Sequence, residues 1–176
     1  MGPPEPGALA RFTGGVRHTV PMRIYLPATA SDLAADAVTA RRAHAVTKAL
    51  ASALPEEDEE GLEVSASLCA ADSSLVLLAE PGSADEPDRR VVIAADVPAG
   101  SVDEVPSGED VLPGTVEVSE PVTWDDVAAV LVDEAEAEAD VRAARTGDEE
   151  AFERAADADL LWYDVSERAA LAAELR

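Results

Sequence analysis

Apolar and polar positions change rhythm several times along this chain, and each change predicts an element. Arg23-Ile24-Tyr25-Leu26 reads as a short strand stopped by Pro27. Ser31 then suits a helix N-cap, with Asp32 in the first turn and Leu33, Ala37 and Val38 on one face. Residues 43–46 fit either a short strand or the front of the next helix. Thr47 can cap a helix running to Leu54, which Pro55 ends. After the acidic run 56–60, residues 62–80 place Leu62, Ala66, Cys69 and Val76 at helical spacing, with Leu68, Leu75 and Ala79 beside them. Acids at its start suit the helix dipole, and Pro81-Gly82 stops it. This is the longest predicted helix.

Residues 82–88 are polar and predict a loop. Val91-Val92-Ile93-Ala94-Ala95 is a continuous apolar, β-branched run, the pattern of a central strand buried on both faces. Residues 98–114 hold Pro98, Pro106, Pro113, Gly100, Gly108 and Gly114 with acids between them, and predict a long exposed acidic loop. Residues 115–119 alternate as a half-buried strand does. Thr123 can cap a turn through Trp124-Asp125-Asp126. Residues 129–132 then read as a strand ending at Asp133 and 134–144 as a helix, against the competing reading of one helix over 124–146; β-branched content favours strand then helix. Gly147 ends that helix, residues 148–158 form another, 160–163 a strand, and Ser166 caps a last helix over 167–175.

Together these elements predict an α/β domain, with α+β open. It has two layers: a four- or five-stranded sheet covered mainly on one face by helices, with 62–80 central. Residues 1–21 are rich in Gly and Pro and read as a disordered N-terminal extension. Met22 precedes the first good strand and is a candidate natural start, so 22–176 forms the single expected domain.

Charge narrows the partners. The 37 acidic and 13 basic residues give a formal net charge of −24, a field that repels nucleic acid and anionic lipid surfaces alike. Suitable partners are basic proteins, cations or neutral ligands. The same charge also serves simply to keep a small domain in solution. Only Lys48 is lysine among the basic residues, and with the alanine excess that points to a GC-rich genome. One cysteine, Cys69, cannot close an internal disulfide. The strongly apolar runs 75–79 and 91–95 are far shorter than the roughly 18 residues that span a bilayer, and residues 1–21 lack a signal-peptide stretch. A cytoplasmic setting without membrane contact is expected.

Four blocks carry a resemblance: Met-Arg-Ile-Tyr-Leu-Pro-Ala-Thr (22–29), Arg-Arg-Val-Val-Ile-Ala-Ala-Asp-Val-Pro (89–98), Val-Thr-Trp-Asp-Asp-Val-Ala-Ala-Val (122–130) and Leu-Leu-Trp-Tyr (160–163). Their order resembles that of an uncharacterised actinobacterial family, a domain of unknown function, over about residues 22–175. Loop 98–114 is longer here than the family pattern. The resemblance implies a shared fold and a cytoplasmic setting, and it carries no catalytic residue over.

Three apolar strands end in aspartate: Asp96, Asp133 and Asp164. Were the strands parallel neighbours, their carboxylates would converge at one sheet end and could hold Mg²⁺ for hydrolysis or phosphoryl transfer. Against that, Asp is an ordinary strand terminator, and no nucleophile motif, phosphate-binding Gly loop or basic clamp accompanies the three; only Arg89 and Arg90 lie adjacent on a strand. Trp124 fits a packing anchor or a pocket rim. Trp162 and Tyr163 point to opposite faces of their strand, so one is free to join Tyr25 in an aromatic contact patch. His18 falls in the extension, and spacing gives His44 no catalytic partner. Cys69 sits on an apolar helix face as an inert thiol, and one Cys with one usable His cannot build a zinc site.

The function expected from these residues is a non-enzymatic, acidic binding or scaffold domain acting through protein contacts, with a protein partner or a second copy. A carboxylate-based Mg/Mn enzyme using Asp96, Asp133 and Asp164 is the alternative.

Overall fold

The computed structural model describes residues 20–176. The expected extension and His18 therefore lie almost wholly outside the described residues. The strands are β1 (Pro21–Ala28), β2 (Ala37–Val38), β3 (Arg42–Ala45), β4 (Val91–Pro98), β5 (Val102–Glu104), β6 (Thr115–Val118), β7 (Val122–Thr123), β8 (Val127–Asp133) and β9 (Leu160–Asp164). The helices are α1 (Lys48–Ala53), α2 (Glu59–Ala79), α3 (Glu138–Arg145), α4 (Glu149–Ala156) and α5 (Arg168–Glu174). Seven strands form one sheet in the order β5-β6-β3-β1-β4-β8-β9, and β2 with β7 forms a two-stranded one. Every pairing is antiparallel. The protein is thus mixed α/β with a larger sheet than the four or five strands expected. The additions are β5, inside the expected loop, and β3, which takes the strand option of residues 43–46.

Strand β4 owes its central place to its sequence. Val91, Ile93, Ala95 and Val97 face one side, where Ile24, Leu26, Val130 and Val132 meet Leu33, Val38, Val122 and Leu171. Val92 and Ala94 face the other, beneath Leu62, Ala66 and Ala70 of α2. The sheet is therefore covered on both faces, in three layers rather than two. The second cover comes from α5, the β2–β7 pair and a short 3-10 turn over Ala30–Ala34. That turn replaces the helix expected after Ser31: Asp32 folds back to accept from the Thr29 amide at 2.9 Å, and Ala37–Val38 goes on as a strand.

Small residues let α2 lie close on the sheet. Ser74 replaces a core side chain with a stitch: its hydroxyl donates to the Ala28 carbonyl at 2.7 Å and accepts from the Val91 amide at 3.0 Å. By length and composition α2 would also suffice to cross a bilayer, which the short apolar runs did not suggest; over 62–79 only Glu63 and Asp72 are charged, and Leu, Val and Ala outweigh the serines between them. Its later half packs Leu75 and Leu78 against Val141, Ala151 and Ala155 of α3 and α4.

Two local readings are revised by chain geometry. Pro27 does not stop β1, because β3 pairs with β1 only at Ile24 and Tyr25 and Pro27 has no ladder partner to fail on that side. Residues 124–146 divide into a 3-10 turn, β8, a second 3-10 turn and α3, so the strand-then-helix reading holds. Thr47 caps α1, its Oγ1 accepting from the Leu50 amide at 3.1 Å, and Gly147, at φ 101, closes α3. Asp164, not Ser166, makes the last cap, accepting from the Ser166 amide at 2.9 Å.

Candidate functional site

The three aspartates cannot meet at one sheet end because the sheet is antiparallel, which puts Asp133 at the end opposite Asp96 and Asp164. Strands β4, β8 and β9 are neighbours, as the metal reading required, but alternate in direction. Asp164 pairs with Ala129 and Asp133 with Leu160, so the two lie at opposite ends of the β8–β9 ladder. Each carboxylate also has a structural partner. Asp96 lies opposite Arg23 and takes a two-pronged hydrogen bond from it at 2.7 and 3.0 Å, which holds its pKa below the usual carboxylate range. Asp164 is held low by the hydroxyl and amide of Ser166. Asp133 is fully buried against Arg90, at 2.8 Å from Nη2, and also accepts from the Arg90 amide at 2.8 Å. Among the described residues no group of three or more His, Cys, Asp or Glu is placed to hold a metal ion.

Arg90 is the largest fully buried side chain of the core. Besides Asp133 it donates to the Ala158 carbonyl at 3.2 Å, tying the start of β4 to the segment entering β9. Its Nη1 has no hydrogen-bond partner among the described residues, with Asp72 at 3.9 Å. Arg89 is engaged outward, with Glu138 at 2.9 Å. Neither arginine is a free clamp.

The four aromatics do not form one patch. Tyr25 is buried beneath α2, and burial raises its phenol pKa. Trp124 is half-buried; its indole N–H donates to the Ala35 carbonyl at 2.9 Å, and the Arg168 guanidinium lies 4.3 Å from its ring centroid. It is an anchor for the second cover of the sheet. Tyr163 packs on the same core. Trp162 stands apart: it is 59% exposed on β9, beside Leu161 at 39%.

Strand β9 is the outer edge of the large sheet, paired only with β8. The Asp164 amide donates away from β8, to Glu167 Oε2 at 3.0 Å. Alternation along a strand then turns the Leu160 and Trp162 amides and carbonyls outward too. This edge carries unpaired backbone and apolar side chains, ringed by exposed Asp157, Asp159, Asp164 and Glu167.

A second feature escaped sequence reading because its parts lie 29 residues apart. His44 on β3 and Ser73 on α2 meet, Nε2 to Oγ, at 2.8 Å. Burial lowers the His44 pKa to about 4, so it is neutral near pH 7. Its Nδ1 is buried with no partner among the described residues. A bare buried N–H is rarer than a bare acceptor, which favours the proton on Nε2, donated to Ser73. In that tautomer His44 does not accept the serine proton. Cys69 is half-buried and its thiol pKa is raised, chiefly by burial.

An antiparallel mixed α/β domain with one open edge strand exposing Leu161 and Trp162 is the class that this geometry defines. The chain belongs to a family of unknown function (DUF6912), whose model matches residues 22–172. No curated protein and no solved structure matches it.

Proposed function

We propose that this is a non-enzymatic protein-binding domain that takes a basic, extended segment of a partner alongside β9. The observation that carries the reading is the open edge with Leu161 and Trp162 exposed on it. A strand with outward backbone groups is a template for another strand, and unguarded edges are uncommon in stable monomers. Trp162 supplies the large, rigid side chain that dominates many interfaces. The surrounding acids and the net charge of −24 favour a basic segment over a second copy, which would bring an equal negative charge.

The test uses two synthetic peptides, one alternating Lys with Val and one alternating Glu with Val, and amide exchange across the protein. The basic peptide is expected to slow exchange at Leu160 and Trp162, and Trp162→Ala to weaken it by about thirtyfold, the loss typical of an interface hot spot. Equal binding of the acidic peptide, or protection scattered over the surface but absent from β9, would overturn the reading. A concentration-dependent dimer lost in Trp162→Ala would replace the partner with a second copy.

A further inference from the structure

A cavity of about 360 Å³ opens between α2, β3 and residues 110–112, on the opposite side of α2 from β9 and independent of that edge. Arg42, His44, Ser73 and Asp110 are among its polar lining residues, and Val76 and Leu112 among its apolar ones. We propose that this cavity binds a small zwitterion of the apolar amino-acid type: carboxylate on Arg42 and Ser73, ammonium on Asp110, side chain on Val76 and Leu112.

Each part of the ligand follows from a group left unsatisfied. In the tautomer that carries its proton on Nε2, His44 donates to Ser73 Oγ, and the serine hydroxyl then keeps its own hydrogen with no acceptor among the described residues. Arg41, which also lines the cavity, is already paired with Asp32 at 2.9 Å and donates to the Pro27 carbonyl at 2.9 Å. Arg42 and Asp110 are in no salt bridge among the described residues; Glu117 faces Arg42 across the β3–β6 ladder without forming one. The cavity thus offers one open cation with a hydroxyl donor, and one open carboxylate. Val76 is 60% and Leu112 54% exposed, two large apolar side chains in one lining. The volume is at the lower end of small-molecule sites, which suits a compact ligand. Overall charge selects among candidates: a net anion approaches against the field of a chain at −24, whereas a zwitterion does not.

Three probes separate the parts: L-leucine, 4-methylpentanoate, which lacks the ammonium, and 3-methylbutylamine, which lacks the carboxylate. Each is titrated into the full chain while NMR follows the Val76 and Leu112 methyls and the His44 ring. Leucine is expected to give saturable shifts at all three, with both analogues weaker by about tenfold or more, the loss expected when a charge-assisted hydrogen bond goes unmade. Arg42→Gln and Asp110→Asn, at exposed positions that leave the core untouched, should each weaken leucine by about the same factor. Absence of saturable shifts with leucine would overturn the site. So would 3-methylbutylamine binding as well as leucine, since an acidic surface alone gathers cations, or leucine binding unchanged in Arg42→Gln.

Discussion

The two edges of the large sheet are built on opposite principles. At one end β5 is three residues long, and its exposed Asp103 and Glu104 line the border with charge. At the other, β9 exposes Leu161 and Trp162, and its first acid comes only at Asp164. Short length and charge are how natural sheets discourage stray pairing. One border is guarded and the other is not, within a single chain whose surface is acidic almost everywhere else. The absence of acids over residues 160–163 of β9 is therefore the informative feature, because composition alone would have put them there.

The most severe way to break this asymmetry is to undermine β9 from beneath. Asp133→Ala leaves Arg90 buried without its counter-charge, and denaturant unfolding should show a loss of about 3–5 kcal/mol. The double change Arg90→Met with Asp133→Leu should recover most of that, since apolar replacement of a buried pair is often close to neutral. A double variant as unstable as the single one would mean that the pair does more than balance itself.

On the guarded side, His44 lies on β3, two strands from β5, and its depressed pKa fixes the sign of an acid effect. The unfolded chain binds the proton near pH 6.5 and the folded chain only near 4. Its contribution is present above 6.5 and is lost as pH falls toward 4, by about 3 kcal/mol as an order of magnitude. Urea midpoints of wild type and His44→Gln should converge across that window. Parallel curves would show that burial does not hold the ring neutral.

Smaller effects sharpen the comparison further. Removing the Arg23–Asp96 pair with Arg23→Gln should cost less than about 1 kcal/mol, since both side chains are substantially exposed, at 32% and 43%. Asp96 is depressed, so what the pair contributes is present above the usual carboxylate pKa and fades in acid below it. Replacing Asp103 and Glu104 by Thr should leave the melting temperature within a degree or two while promoting self-association in sedimentation, because it strips the guard from β5.

What the chain disclosed in advance, and what it hid, divides by range. Period and capping located β4, α1, α2 and β8 well, because the Val91–Ala95 run, the helical spacing from Leu62 and the Thr47 cap act within a few residues. Strand direction is decided across the sheet, so three terminal aspartates could suggest convergence that alternating strands forbid. β5 was read as loop because Val102 alone among its three residues is apolar and its ladder partner Val118 lies well downstream. Of the Trp162–Tyr163 pair, alternation could say that one ring faces away from the core but not which; the structure exposes Trp162. The burial of Tyr25 and the anchoring of Trp124 depend on covers that only assembly creates. Ser73 and Arg42 gave no signal, since a serine in an Ala-rich helix and an arginine in a strand are individually ordinary.

The buried guanidinium at the entrance to β4 has a consequence for how the molecule is made. Its counter-ion arrives 43 residues later, on β8. A nascent chain that has emerged only through β7 holds a strong cation at the mouth of its central strand with only the partly exposed Asp72 of α2, at 3.9 Å, to offset it. That partial sheet must stay ajar and hydrated there. Closure waits for synthesis to deliver the aspartate, so the last-made third of the protein decides when the first two thirds may settle.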